Sequence, residues 1–157
     1  MTHQLGFTMV ELLVVLAVTA LLATLAAPSF NEQLARRRLA GVATDLSTDL
    51  QFARTQAVDD RAPVRLITEV GGTQYRLIKN AGAGAVIKTV VFPAGITATD
   101  AARVDYEDLR GTATVVNGPI NLASTRTSVT MRLVVNVAGR VSLCSPTATY
   151  FTGYPQC

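Results

Sequence analysis

The sequence predicts an α+β protein, with a long amino-terminal helix followed by a small domain of antiparallel strands. Three observations predict it. From Phe7 to Phe30 the chain reads FTMVELLVVLAVTALLATLAAPSF, with no charged residue between Leu12 and Asn31. From Asn31 to Ala57 the apolar residues recur at helical spacing. Beyond Pro63 the period drops to two, and short apolar runs alternate with turns rich in Gly, Pro and Asn.

The first segment has the length and composition of a membrane-spanning helix, which needs about 20 apolar residues. One carboxylate, Glu11, stands near its start. An ionised acid within hydrocarbon costs several kcal/mol unless paired, so it marks a functional site by default. Residues 7–30 are therefore read as a transmembrane or filament-core helix. Pro28 removes one backbone hydrogen bond late in this run and predicts a kink. A secretory signal fits poorly. Met1–Gly6 holds no Lys or Arg, and Ala26-Ala27-Pro28 is a poor cleavage site. The small residue suited to processing, Gly6, lies before the apolar core instead.

Residues 31–58 continue the helix in amphipathic form. Leu34, Leu39, Val42, Leu46, Leu50, Ala53 and Ala57 make one face, and Arg37, Arg38, Asp45, Asp49 and Arg54 fall largely off it. From Phe7 to about Val58 a single bent helix of roughly 75 Å is expected, at 1.5 Å per residue. Arg36-Arg37-Arg38 reads as a solvated collar just outside a membrane, within reach of lipid headgroups or nucleic acid. By the positive-inside rule these arginines argue for the opposite orientation.

Residues 59–157 form the globular domain. Val64–Val70 and Tyr75–Ile78, joined through Gly71-Gly72, read as a hairpin. Val86–Phe92 is a third strand, closed by Pro93-Ala94-Gly95. Asp100–Gly111 is polar and acidic and reads as a loop or short helix. Thr112–Val116 is a short strand. Ser128–Val137 is the clearest strand, with Val129, Met131, Leu133, Val135 and Val137 on one face. Ala138-Gly139 turns the chain, and Arg140–Cys144 pairs back.

Two stretches carry a resemblance to a known family. Gly6-Phe7-Thr8-Met9-Val10-Glu11-Leu12-Leu13, with the apolar run and Pro28, resembles the class III signal of type IV pilins and pseudopilins. Phe52-Ala53-Arg54-Thr55-Gln56-Ala57-Val58 with Asp59–Val64, and the hairpin around Val137–Val141, resemble the GspH/FimT/FimU group of minor pilins and pseudopilins. The resemblance implies that residues 1–6 are a leader, cut between Gly6 and Phe7 by a prepilin peptidase that also N-methylates Phe7. It implies two small antiparallel sheets packed as a sandwich on the helix. It outweighs the arginine count and keeps the amino terminus cytoplasmic, giving a single-pass inner-membrane protein with a periplasmic domain that later joins a pilus. Implied partners are other minor pilins, the major pilin and the inner-membrane assembly platform. Glu11 then stands at the family's fifth mature position, where it meets the freshly exposed amine of its own or a neighbouring Phe7. The resemblance leaves open a minor type IV pilus subunit, in a tip or priming complex, or a minor pseudopilin of a type II secretion system.

A reading of another class is a DNA-binding pilin for natural transformation. Gly139-Arg140 resembles the Gly-Arg-any-Arg pattern of that branch, but Ser142 occupies the second arginine position, and no Lys or Arg follows Arg140. Arg126, Arg132 and Arg140 are the candidate nucleic-acid residues. Tyr150, Phe151 and Tyr154 are possible stacking platforms, but cations must neutralise phosphates for such binding. Cys144 and Cys157 are the only cysteines. In an oxidising periplasm they are expected to pair, restraining the tail by roughly 3 kcal/mol in the entropy model.

Little points to catalysis. The only histidine, His3, leaves with the leader, which excludes Ser-His-Asp and Cys-His sites from the mature chain. Asp105, Glu107 and Asp108 read as a solvated loop in preference to a Ca²⁺ site. Gly82-Ala83-Gly84-Ala85 lacks the third glycine and the following helix of a phosphate loop. No cofactor, no metal and no enzymatic activity are expected.

Overall fold

The computed structural model describes residues 7–80, 84–127, 129–146 and 153–157, without the side chains of 25–28. Helix α1 runs Met9–Asp59. Nine strands follow among the described residues: β1 Val64–Thr68, β2 Gln74–Lys79, β3 Val86–Val91, β4 Ile96–Ala98, β5 Arg103–Tyr106, β6 Ala113–Val116, β7 Ile120–Ser124, β8 Thr130–Val135 and β9 Val141–Cys144. The helical assignment passes through Pro28 unbroken. The kink expected there falls on residues whose side chains lie outside the described set.

The chain divides into two compact units, residues 1–34 and 35–157. In the first, every described side chain is exposed, with Phe7 and Met9 each at 81% and Leu13 at 65%. Taken alone, the unit leaves its apolar side chains uncovered on every side. Among the described residues no single helix is long and apolar enough to cross a membrane. Met9–Thr24 and Ser29–Asp59 meet that test of length and composition only as a bent pair.

The second unit carries the core. Sheet A has the order β3-β2-β1-β5-β6 and sheet B the order β4-β7-β8-β9, and all ladders are antiparallel. The chain leaves sheet A for sheet B at Pro93–Gly95, returns for β5 and β6, and crosses again at Asn117-Gly118-Pro119. Asn117, Gly118 and Gly95 adopt positive φ at these crossings, a region most side chains avoid. Period-two burial explains each strand. Val64 and Leu66 of β1, Tyr75 and Leu77 of β2, and Val104 and Tyr106 of β5 turn inward. They meet Ile120 and Leu122 of β7 and Met131 and Leu133 of β8 in one cluster. Residues 35–59 of α1 add Leu39, Leu46, Leu50, Ala53 and Ala57, all fully buried. Ala53 and Ala57 are small, which lets a strand approach the helix closely.

Several expectations need correction. Asp100–Gly111 is not simply a loop, because it contains β5, which pairs with β1 on one side and β6 on the other. Its polar residues Arg103 and Asp105 point away from the core while Val104 and Tyr106 fill it. β4 and β7 were not expected as strands. Leu34 is 37% exposed, and Ala35 and Ala43 join the buried helix face. Asp49 is buried on that face. Val137 is 77% exposed, since β8 ends two residues earlier.

Candidate functional site

At the amino-terminal end, Gly6 lies outside the described residues. Phe7 precedes the helix, and Thr8 is its cap: the Thr8 hydroxyl accepts the backbone N–H of Glu11 at 3.2 Å. Thr8-Met9-Val10-Glu11 is thus the sequence pattern of a capping box, with Glu11 at the third helical position. The sequence reading passed over this local signal. The acid also suits the positive end of the helix dipole. Among the described residues the Glu11 carboxylate makes no hydrogen bond or ion pair.

At the far end of α1 lies a junction of three segments. Arg54 donates its Nε–H to the Gly111 carbonyl at 3.1 Å. Gly111 belongs to the β5–β6 turn, and Gly139, in the β8–β9 turn, packs onto the same spot. A Cβ on Gly139 would lie 2.6 Å from the Gly111 oxygen and 3.0 Å from Arg54 Cδ and Nε, and Gly139 has φ +74°. Backbone conformation and close approach both require glycine here. Ala113 N–H donates to the Val137 carbonyl at 2.9 Å and ties β6 to the same turn. Two motifs far apart in sequence, the Arg54 stretch and Gly139-Arg140, therefore meet in space. The helix ends in Asp59-Asp60, unfavourable for the dipole, but Asp60 is compensated. It accepts Lys79 Nζ at 2.9 Å and Gln56 Nε2 at 2.6 Å. Those bonds hold its carboxyl below the usual value.

The three candidate nucleic-acid arginines do not converge. Arg126 lies in the turn before β8 and Arg140 in the turn after it. The six-residue strand between them spans roughly 20 Å. Arg132, midway, donates Nε–H to Asn121 Oδ1 at 2.8 Å, and Asn121 donates to Asp100 at 2.6 Å. Its charge thus sits within a network that already holds an acid. Tyr154 is half-buried against the core, and Tyr150 and Phe151 lie outside the described residues. Cys144 and Cys157 are joined by a disulfide with Cα atoms 5.0 Å apart. The tail is also held by Ser145 N–H to the Pro155 carbonyl at 2.9 Å and Cys157 N–H to the Ser145 carbonyl at 3.2 Å.

Two polar clusters escaped the sequence reading. Asp49 accepts the Tyr75 hydroxyl at 2.5 Å and Lys88 Nζ at 2.7 and 2.8 Å, joining α1 to β2 and β3. On the outer face of sheet A, Arg65 binds Asp105 through Nε at 2.6 Å and Nη2 at 3.1 Å. Arg103 Nε stands 3.2 Å from the same carboxylate, close enough for attraction but without hydrogen-bond geometry. Asp105 is thereby a cross-strand ion-pair partner, not a loop cation ligand. Among the described residues no three His, Cys, Asp or Glu side chains gather as a metal site. The only early signal for these pairs was the alternation itself, which becomes legible once Arg65 and Asp105 are known to face each other.

An apolar amino-terminal helix with one early acid, joined to a two-sheet domain built around the helix's second half, defines the class of type IV pilin-like proteins. The N-terminal methylation motif of prokaryotes matches residues 1–27, and the family model "Type II transport protein GspH" matches residues 42–139. The chain belongs to the GspH family. Its fold is similar to that of the type IV minor pilin FimU from Pseudomonas aeruginosa PAO1. The two are 22% identical, the match covers 73% of this chain and 97% of that one, and the TM-score is 0.55. No curated protein matches the chain.

Proposed function

We propose that this chain is a minor, non-enzymatic subunit of a type IV pilus, acting in assembly within a tip or priming complex. In this reading the prepilin peptidase cuts between Gly6 and Phe7 and methylates the new terminus. The subunit waits in the inner membrane with its β domain in the periplasm, then enters the filament through the platform beside other pilins. The carrying observation is Glu11, an acid with no ion pair among the described residues, at the head of an apolar helix whose described side chains through Leu34 are all exposed. Stacking such helices side by side hides the apolar surface and brings each acid to a methylated Phe7 amine, removing two buried-charge penalties together.

Mass spectrometry of the membrane-extracted protein tests the processing. A chain starting at methylated Phe7 is expected, and one starting at Met1, or trimmed after Ala27, overturns the reading. Glu11→Leu is expected to insert into the membrane normally and to be depleted from sheared filaments. Normal incorporation counts against the role of Glu11. A second reading, a minor pseudopilin of a type II secretion system, draws on the family's own description. Deleting the gene separates the two: lost pili favour the first, and lost secretion with intact pili the second.

A further inference from the structure

We propose that the β3 edge of sheet A is a self-pairing surface, on which a second copy of this chain adds its own β3 antiparallel about Thr89. β3 is the outermost strand of sheet A and, among the described residues, pairs only with β2. Its sequence, Val86-Ile87-Lys88-Thr89-Val90-Val91, is β-branched at every position but one, and Val86 and Val91 are 51% and 66% exposed. Open edges of this kind are normally guarded by an outward lysine, a proline or a bulge that turns the strand away. Here the only charge, Lys88, is held against Asp49 of the helix at 2.7 Å and neutralised there. The register irregularity is a bulge in β3 itself at Ile87, between Val86 opposite Ile78 and Lys88 opposite Leu77, and it leaves Lys88–Val91 regular and open to pairing.

The hydrogen-bond phase fixes how a partner can pair. Phe92 N–H donates inward to the Thr73 carbonyl. Because consecutive amides alternate, Val90 also faces β2, and the N–H and C=O groups of Thr89 and Val91 face outward. An added antiparallel strand must match outward groups with outward groups, so a symmetric pairing is centred on a residue and not on a bond. Centring on Thr89 sets Thr89 against Thr89, and Lys88 against Val90 of the partner. That register places no like charges opposite one another and adds a threonine pair. A two-fold axis there also closes the assembly, because each edge is consumed by the other. Five residues a side, Ile87–Val91, is a small interface, so the dimer is weak, on the order of 100 μM in dissociation constant.

The test uses the full chain in detergent micelles. Thr89→Cys is oxidised alongside Thr114→Cys, an exposed position on β6 at the opposite edge of the same sheet. The native cysteines are already bonded. A linked dimer at position 89 and none at 114 is expected, since Cα atoms about 5.5 Å apart suit a disulfide. In sedimentation velocity the unmodified chain should dimerise with rising concentration. Thr89→Lys, which sets two ammonium groups against each other across the axis, should weaken that dimer about tenfold while thermal unfolding stays in place. Equal cross-linking at 89 and 114, a dimer indifferent to Thr89→Lys, or a chain monomeric at millimolar concentration overturns the proposal. Indifference to Thr89→Lys would assign association to the apolar helix instead.

Discussion

Asp49 shows how much one side chain can decide. It lies on the helix face that packs against the sheet, where an unpaired carboxylate is costly. Tyr75 and Lys88 together make it tolerable. Lys88 keeps water access, so its share in stability is small. The buried Tyr75 hydroxyl has no such outlet. Asp49→Ala should therefore cost about 2 kcal/mol in urea unfolding, and Lys88→Met distinctly less. Tyr75 and Tyr106 also set the alkaline limit. Burial pushes the Tyr75 phenol well above its ordinary range, reinforced by its bond to Asp49. Burial pushes Tyr106 up to about 12, against a small opposing pull from Arg54. In the unfolded chain both ionise near 10. Their contribution is complete below pH 10 and is lost as pH rises through the folded values, because there the unfolded state has released protons that the native state retains. Melting temperature should fall steeply above pH 10, and ultraviolet titration should show these two phenols ionising only with unfolding. Tyr106→Phe should flatten the fall. It should cost nothing at pH 7, since the buried Tyr106 hydroxyl has no hydrogen-bond partner among the described residues to lose.

Among the elements, those whose apolar residues announced a period were legible, and those that share their face with ions were not. The helix face from Leu39 to Ala57, the β1–β2 hairpin and β8 all follow spacing that any core-forming element must show. β5 did not, because two of its four residues are charged and it stands between acids at Asp100 and Glu107. The charges are balanced across strands by Arg65, and nothing local to residues 100–111 reveals that partner. β4 is three residues long, too short to display a period. The site was legible in the same uneven way. Gly6, Phe7 and Glu11 form a contiguous motif, whereas Asp49 with Lys88 and Arg54 with Gly139 are pairs made only by folding. Gly139 supports a sharp expectation at this scale. Gly139→Ala must hold a Cβ at φ +74° and 2.6 Å from a backbone oxygen. It should cost about 2 kcal/mol or more by denaturant unfolding, while Gly41→Ala, with open space around its Cβ, should be stabilising.

For the whole molecule, the question is whether a basic protein of net charge +3 presents its cations together. In the described residues much of the positive charge of the β domain is already answered. Lys79 pairs with Asp60, Lys88 with Asp49, Arg76 with Glu69, and Arg65 with Asp105. Arg126 and Arg140 stand at opposite ends of β8, and Arg132 between them lies in the Asn121–Asp100 network. Nucleic-acid affinity grows with the number of phosphates neutralised at once, and its salt dependence reports that number. Cations spread over separate faces and tied to acids neutralise few. A gel shift of the full chain in detergent with double-stranded DNA at two salt concentrations should show no salt-sensitive complex at micromolar protein. A tight complex whose strength collapses between about 50 and 200 mM salt would mean that several arginines act on one duplex. Single substitutions of Arg126, Arg132 and Arg140 to Ala would then identify which, because each phosphate contact removed lowers the salt slope by roughly one.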